Sequence, residues 1–392
     1  MSTFSLLFQR AAVLLIRPAV ILAEGRFLPG MNTLIFLVPI SAMALTASSL
    51  PVHLQFLRLT SASSDRVKVE RSYVSGLLAV CVTALSLLSL ALFLFWPGIS
   101  SVLLLSICAV FLIEKFSDEL TRYFEFRRLY SRWFVVQLIR SAWLVIPIGL
   151  ALIGYDYQTA ILSLACGIAL ISITAFFLFT GLKPAMDSGG LALVKSNLAY
   201  LSSAGLVAMH RQLPRITVAA LFPQFAHIFQ AIAQLTQGIS LLFNVKYQIP
   251  YRSIIARKTA SFERVLYPVF RKLLLLVIVL LIFSLSVAVL VPSVLNWQAG
   301  LVAVLAVAMI ADSLGFSIAT TYLGYLPWYL KPRVAFTTFC LALAALFFCF
   351  LSGYLILTAS DSALIVVPAT TIVVSLLWIA LIRYRHFRRI KL

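Results

Sequence analysis

Charged residues are scarce in this sequence, and acidic residues are the scarcest of them. Only 11% of the 392 residues are charged, and 12 are Asp or Glu against 31 Lys or Arg. A soluble globular domain carries about 25% charged residues, so this composition excludes a water-soluble fold. The hydrophobic share of 62% and the mean hydropathy of +1.05 agree. The composition predicts a polytopic membrane protein.

Metal-ligand and signal-peptide patterns are also lacking. The cysteines all fall within apolar segments without ligand spacing: Cys81, Cys108, Cys166, Cys340 and Cys349. We expect them to be small core residues, with no metal site and no disulfide. The first apolar run, residues 4–23, is not followed by a small-residue cleavage site. It is therefore predicted to be a retained helix.

Apolar runs of about 20 residues recur along the whole chain, which is the length needed to cross a bilayer. They predict an all-α fold with about twelve transmembrane helices. These lie near residues 4–23, 31–52, 74–95, 99–121, 133–153, 158–180, 198–222, 224–245, 268–291, 297–319, 334–357 and 363–382. Short turns such as Trp96-Pro97-Gly98 separate them. No segment is left for a separate catalytic domain.

Basic residues in the connecting segments fall almost entirely on one side of the predicted membrane. Arg26 alone lies on the other side, when Lys115 is counted with the loop that follows the fourth span. The basic segments are 53–73, 122–132, 181–197, 246–272, 331–333 and 383–391. Because basic loops stay in the cytoplasm, both termini are predicted to be cytoplasmic. This also explains the net charge of +19 without a nucleic-acid partner.

The topology divides the chain into two halves of the same orientation. Residues 1–182 are predicted to form an N-terminal six-helix bundle, residues 183–197 a cytoplasmic linker, and residues 198–392 a C-terminal six-helix bundle. Two parallel halves around a central cavity are common in secondary transporters. The sequence shows no strong repeat between the halves, so the symmetry is inferred from topology.

Some arginines lie inside predicted spans, where topology does not explain them. They are Arg10, Arg17, Arg140, Arg211 and Arg215. An arginine at the centre of a bilayer costs on the order of 3 kcal/mol, so it normally faces a wet cavity, a partner or a ligand. The alternatives are snorkelling and a structural ion pair. Asp312 is the only carboxylate that this interpretation places at mid-membrane, and one acid cannot neutralise so many arginines.

The spacing of these charges places them on shared helix faces. Arg10, Arg17 and Glu24 are seven residues apart, which puts them along one stripe of the first helix at different depths. Arg211 and Arg215 are four apart and share a face, where like charges repel unless an anion lies between them. The predicted cavity is therefore cationic.

The eighth span carries a polar stripe. Its polar residues fall within less than half of the helix circumference: Gln224, His227, Gln230, Gln234, Gln237 and Asn244. They could bond neighbouring helices, or, with His210 of the preceding span, line a hydrated cavity. A cationic cavity bordered by amides suits a ligand with phosphate at one end and sugars at the other, because guanidinium groups match phosphate oxygens bidentately.

Three stretches resemble a known family. They are "AEGRFLPGMNTLIFLV" at the end of the first helix, "EFRRLYSRWFVVQLIRSAWLVI" leading into the fifth, and "ADSLGFSIATTYLGYLPWYLKPRVAF" leading into the eleventh. In these and in its layout the chain resembles the Wzx-type polysaccharide flippases of the multidrug/oligosaccharidyl-lipid/polysaccharide superfamily. A Leu28-Pro29-Gly30 turn stands where the family usually has a glycine-rich one.

The resemblance implies a function in surface polysaccharide synthesis. Two six-helix bundles would move an undecaprenyl-diphosphate-linked oligosaccharide from the cytoplasmic to the periplasmic leaflet of a bacterial inner membrane, and a polysaccharide polymerase complex is a candidate partner. The buried arginines would contact the diphosphate, first among them Arg17, Arg211 and Arg215. Glu24 and Arg26 would lie at the outer gate. No cofactor is expected, and Asp312 is the candidate for Na⁺ or H⁺ coupling.

Other function classes remain as alternatives. A drug or cation antiporter of the same superfamily would need buried carboxylates. A membrane-embedded glycan polymerase or ligase would need large outer loops with catalytic residues, whereas the predicted outer loops are short and Asp156 and Asp361 are isolated in them. A scaffold of an envelope complex stays open. The sequence therefore predicts a transporter and not an enzyme.

Overall fold

In the computed structural model of the chain, the described residues form helices joined by short turns and loops. These are residues 3–48, 66–96, 98–127, 129–185, 187–243, 259–291, 294, 298–325, 336–337, 340–341, 344 and 363–383. Among them there is no β-strand. By their contacts, the residues form two compact units, Met1–Gln212 and Leu213–Leu392, whose boundary falls inside a helix.

Unit 1 contains eight helices and the first part of a ninth among its described residues. They are α1 (Thr3–Phe27), α2 (Thr33–Ala47), α3 (Arg66–Phe95), α4 (Ser101–Phe126), α5 (Tyr130–Ala142), α6 (Val145–Leu152), α7 (Tyr157–Thr180), α8 (Ser188–Ser196) and α9 (Leu198–Leu221). The predicted fifth span, 133–153, is divided between α5 and α6. Pro147 lacks the N–H that would bond the carbonyl of Trp143, and that carbonyl accepts from Ile146 instead.

Polar side chains mark where several of these helices begin. Ser100 accepts a hydrogen bond from Leu103 N at the start of α4, and Asp156 accepts one from Thr159 N at 2.8 Å at the start of α7. Such caps satisfy amide groups that have no partner within the helix. The hydrogen bond from Thr159 also lowers the pKa of the exposed Asp156 carboxyl. Helix α7 ends at Gly181, whose φ of 70° suits glycine.

Helix α4 is the central helix of unit 1. It packs against α2, α3, α5 and α7. Its apolar side chains fill a core shared with α3 and α7, where the rings of Phe116 and Phe176 stand edge to face at 5.5 Å. Because neighbouring helices surround α4, any charged residue on it must find its partner inside the protein.

The segment predicted as a linker, 183–197, contains the short helix α8, which packs against α3. Asp187 caps α8 by accepting from Gly189 N at 2.6 Å, and its own carbonyl accepts from Ser75 Oγ of α3 at 2.8 Å. At Gly190 a Cβ would stand 2.5 Å from the Gly76 nitrogen. Glycine at position 190 therefore permits the contact between the two helices.

Unit 2 holds the rest of α9 and the helices α10 (Pro223–Phe243), α11 (Thr259–Leu290), α12 (Gln298–Tyr325) and α13 (Ala363–Ile382). Helix α12 packs against α10, α11 and α13. Its residues Leu301 and Leu305 lie in a buried apolar cluster with Phe229 of α10 and Ile365 of α13.

Six of the twelve predicted spans coincide with helices that are long and apolar enough to cross a membrane. These are Glu70–Leu94, Tyr130–Leu152, Tyr157–Thr180, Tyr267–Val287, Gln298–Tyr322 and Leu364–Ile382. The spans predicted at 4–23, 31–52, 99–121, 198–222 and 224–245 correspond to helices α1, α2, α4, α9 and α10. The span predicted at 334–357 lies almost wholly outside the described residues. The described part is that of a helical multi-pass membrane protein.

Candidate anion-binding site

Two of the predicted buried arginines meet at one carboxylate in unit 1. Arg140 of α5 donates to Glu114 Oε2 of α4 through Nε at 2.7 Å and also through Nη2. Arg17 of α1 donates to the other oxygen, Glu114 Oε1, through Nη2. The same Arg17 nitrogen lies 3.4 Å from the carbonyl oxygen of Arg140. Three helices are thus joined at Glu114.

Two guanidinium groups and one carboxylate leave one positive charge in excess at this junction. Asp118, one turn after Glu114, lies 3.8 Å from Arg140 Nη1, but its closer contact is with Arg122 at 2.8 Å. The side chain of Arg17 is 20% exposed, that of Arg140 11% and that of Glu114 7%. The junction is therefore mostly buried, cationic, and reached most easily at Arg17.

The carboxylates of α4 correct one step of the sequence interpretation. Asp312 is not the only acid within the predicted spans, since α4 carries Glu114, Asp118 and Glu119. Sequence reasoning missed Glu114, although a signal was present. Glu114, Asp118 and Arg122 are spaced by four and form a charged stripe on one face of a helix whose first half is apolar.

Lys115, which the sequence analysis counted with a cytoplasmic loop, lies inside helix α4 instead. It is fully buried in α4, where its Nζ donates to Glu119 Oε1 and to the carbonyl of Ser48, both at 2.9 Å. Tyr73 of α3 donates to the other oxygen of Glu119 at 2.9 Å. These further hydrogen bonds offset part of the cost of removing the two opposite charges from water.

Glu24, predicted at the outer gate, connects three helices of unit 1 through hydrogen bonds. Its carboxylate is fully buried and accepts from Leu34 N at 3.0 and 3.2 Å, in the first turn of α2. It also accepts from the hydroxyl of Tyr157 at 2.9 Å, at the start of α7. Arg26, the other predicted gate residue, is exposed. The stripe expected for α1 therefore serves two separate junctions, Arg17 at one and Glu24 at the other.

Arg215 is the centre of a polar cluster in unit 2. It is 6% exposed and donates from Nη2 to the carbonyl of Ala233 at 3.1 Å. The hydrogen-bonding pattern assigns the Gln237 amide with its oxygen toward Arg215, at 2.6 Å from Nη2 and 2.8 Å from Nη1. The Gln237 nitrogen then donates to Gln234 Oε1 at 3.2 Å. Neutral amides of the predicted polar stripe hold this arginine.

Gln230 lies one turn before Gln234 and is only 2% exposed. Neither atom of its amide has a hydrogen-bond partner among the described residues. An unpaired buried polar group of this kind costs about 1–3 kcal/mol. The polar stripe of α10 is therefore partly satisfied, at Gln234 and Gln237, and partly not.

For the remaining predicted site residues the structure gives the position and the degree of burial. His210 is buried and Arg211 half-buried, both in the part of α9 that belongs to unit 1. His227 on α10 and Asp312 on α12 are half-buried. Arg10 lies in α1, but its side chain is outside the described ones, as is Asn244 of the stripe; Gln224 is exposed. Their predicted roles stay predictions.

Within the described residues, no group of three or more His, Cys, Asp or Glu side chains is arranged to hold a metal ion. The cysteines at 81, 108, 166 and 340 are free thiols, and Cys349 lies outside the described residues. The chemistry that the two clusters offer is therefore that of charges and hydrogen bonds: guanidinium and amide donors set among apolar helices.

No protein-family model matches the chain, and no curated protein is significantly similar to it. The resemblance to polysaccharide flippases therefore rests on sequence motifs and layout alone.

Proposed function

We propose that the chain is a flippase that moves an undecaprenyl-diphosphate-linked oligosaccharide from the cytoplasmic to the periplasmic leaflet of a bacterial inner membrane. The proposal includes twelve spans in two six-helix bundles around a central cationic cavity. Its strongest support is the meeting of Arg17 and Arg140 at Glu114, because two guanidinium groups share one carboxylate among apolar helices. An excess cation in such surroundings is an attractive partner for phosphate.

The transport mechanism that we propose is alternating access. The diphosphate enters from the cytoplasmic side and exchanges its water for guanidinium donors, while the polyprenyl tail stays in lipid. The two bundles then rock and open the cavity outward. The amides of α10 and His210 offer hydrogen bonds to the sugar hydroxyl groups, and Arg10 and Arg211 extend the cationic surface.

Release needs a change in electrostatics, for which several sources are proposed. Protonation or sodium binding at Asp312 would provide it. So would the membrane potential, because one charge crossing 100 mV is worth about 2.3 kcal/mol. Glu24, as a buried fastener of α1, α2 and α7, is the proposed gate residue on the outer side.

The experiment that tests this function measures translocation in vesicles. The full chain is reconstituted in phosphatidylethanolamine and phosphatidylglycerol vesicles that contain a polyprenyl diphosphate carrying one N-acetylglucosamine with a fluorescent label. A membrane-impermeant reductant bleaches only the outward-facing label, so its kinetics report translocation. We expect Arg17→Gln, Arg140→Gln and Arg215→Gln each to slow translocation by about tenfold or more, since each removes charge-assisted hydrogen bonds.

The matched control is Lys183→Gln, which removes an exposed positive charge outside the helices and should leave the rate unchanged. The same probe with a monophosphate should move more slowly in the wild type. Translocation no faster than in protein-free vesicles, or a wild-type rate in all three arginine variants, contradicts the proposal. Thermal unfolding in detergent identifies variants that have simply lost their fold.

A second candidate function is a cation antiporter, which the buried carboxylates favour. Glu24, Glu114 and Glu119 are all buried in unit 1. Against it, Glu119 is paired with Lys115 and Glu114 with two arginines, so these acids already hold cations of the protein itself. Uptake of a cationic dye driven by an imposed pH gradient, lost in Glu114→Gln, would favour the antiporter over the flippase.

A further inference from the structure

We propose that Glu114 is an internal counter-ion that occupies the anion site formed by Arg17 and Arg140, and that the diphosphate of the cargo displaces it. The identity of the displacing group rests on the proposed function. The role of Glu114 goes beyond that function, because it makes the site self-inhibited: the protein fills its own anion site whenever cargo is absent.

The geometry of the contacts supports displacement. Glu114 accepts from Arg140 through Nε and Nη2, and its second oxygen accepts from Arg17. Phosphate oxygens accept from the edge of a guanidinium group in the same two-point manner as a carboxylate. The donors that Glu114 satisfies are therefore the donors that a phosphate group would use, and the two anions compete for them.

The balance of charge favours the incoming group. One carboxylate leaves the two guanidinium groups with a net positive charge, whereas a diphosphate carries at least two negative charges. Asp118, at 3.8 Å from Arg140 Nη1, is engaged more closely with Arg122 at 2.8 Å. A diphosphate would thus neutralise the pair of arginines more completely than Glu114 does.

The side chains at the site differ in their exposure, and the order of exposure agrees with displacement of Glu114 by an incoming anion. The Arg17 side chain is the most exposed of the three at 20%, and Glu114 is the least exposed at 7%. An incoming phosphate can contact Arg17 first and then take the place of Glu114 at Arg140. Because a buried carboxylate without its partner is costly, Glu114 lowers the affinity for cargo and favours its release afterwards.

If Glu114 competes with the ligand, its removal should raise the affinity for a phosphate anion. If Glu114 only stabilises the fold, its removal should leave that affinity unchanged or lower it. The full chain in detergent is titrated with inorganic pyrophosphate, and the dissociation constant is measured by calorimetry. We expect Glu114→Gln to bind pyrophosphate about tenfold more tightly than the wild type, because the competing charge is gone. Arg17→Gln and Arg140→Gln should bind it about tenfold more weakly.

The matched control is Glu125→Gln, which removes a carboxylate from the exposed end of the same helix and should leave the affinity unchanged. Unchanged or weaker binding by Glu114→Gln, with measurable binding by the wild type, overturns the displacement and leaves the anion site in place. Binding by neither protein overturns the anion site as well, and with it the support for the proposed function. Binding by Glu114→Gln alone supports the displacement in its strongest form.

Glu114→Asp keeps the experiment decisive where Glu114→Gln does not fold. Aspartate retains the negative charge but is one methylene shorter, so it reaches the two guanidinium groups less well. We expect Glu114→Asp to bind pyrophosphate about threefold more tightly than the wild type, so that its affinity lies between those of the wild type and Glu114→Gln. A loss of affinity in Glu114→Asp overturns the displacement.

Discussion

Arg140 contacts Glu114 through two nitrogen atoms, whereas Arg17 reaches the same carboxylate through one. This asymmetry predicts an order of stability among three variants. Glu114→Gln should be the most damaging, at about 3–5 kcal/mol, because it leaves two buried cations without their shared anion. Arg17→Gln should cost least, about 1.5–3 kcal/mol, since Glu114 keeps Arg140. Arg140→Gln should lie between them.

Thermal and denaturant unfolding in detergent measure this order. The control is Arg71→Gln, because Arg71 is exposed and its removal should change the unfolding free energy by about 0.5 kcal/mol or less. Equal losses in all three variants would mean that the contacts act as one indivisible network, and that the asymmetry has no energetic consequence.

The hydrogen bond between Tyr157 and Glu24 gives a second prediction. Tyr157→Phe removes one of the donors to a buried carboxylate, so it should destabilise the protein by about 1.5–3 kcal/mol. The exposed neighbour Tyr155 is the matched control, and Tyr155→Phe should be nearly neutral. A double-mutant cycle of Tyr157→Phe with Glu24→Met isolates the interaction between the two side chains, because methionine has a similar length and no oxygen to accept. A coupling free energy of zero would show that the hydrogen bond between Tyr157 and Glu24 does not stabilise the fold.

The sequence predicted the helical class and much of the helix order, because long apolar runs have few other structures open to them in a membrane. It did not predict where individual helices break or dock. The end of α5 at Ala142 depends on Pro147 four residues after Trp143. The helix α8 depends on Gly190 meeting Gly76, which lie far apart in the chain. The first feature is a local effect of proline and the second is a tertiary contact, and a hydropathy pattern reports neither.

The candidate site was predicted in part, and the missing part has a physical reason. Arg17, Arg140 and Arg215 could be recognised because a buried arginine is unusual. The spacing of charges on α4 marks Glu114 as unusual, but it does not show which residues meet it, since Arg17 and Arg140 belong to two other helices. The Ala233 carbonyl that accepts from Arg215 is backbone, for which the sequence carries no signal. Spacing along one helix predicts shared faces, whereas which faces meet depends on the packing of the whole unit.

Two glycines with different surroundings, Gly190 against α3 and Gly167 in open space, should respond in opposite directions to substitution by alanine. Gly190→Ala should destabilise the protein by about 1–3 kcal/mol, because the new Cβ would meet the backbone of α3 and side-chain atoms of Ser75. Gly167→Ala in α7 should stabilise it by about 0.5–1 kcal/mol, since nothing lies within 4 Å of the added carbon and alanine favours a helix. Unfolding midpoints of the two variants, measured side by side, check the signs. Tolerance of Gly190→Ala would mean that α8 moves away from α3 at little cost.

The amides of α10 should respond in opposite directions to the same substitution. Gln230→Met removes two buried polar atoms that have no partner among the described residues, so the unfolding free energy should rise by about 1–3 kcal/mol. Gln237→Met removes the amide oxygen that accepts from Arg215 at 2.6 and 2.8 Å, so the unfolding free energy should fall by about 1.5–3 kcal/mol. If the Gln230 amide also serves the sugar end of the cargo, Gln230→Met becomes more stable and at the same time slower in the vesicle assay. A variant that gains stability and keeps the full translocation rate would remove Gln230 from the proposed cavity wall, because its amide would then have neither a structural nor a transport role.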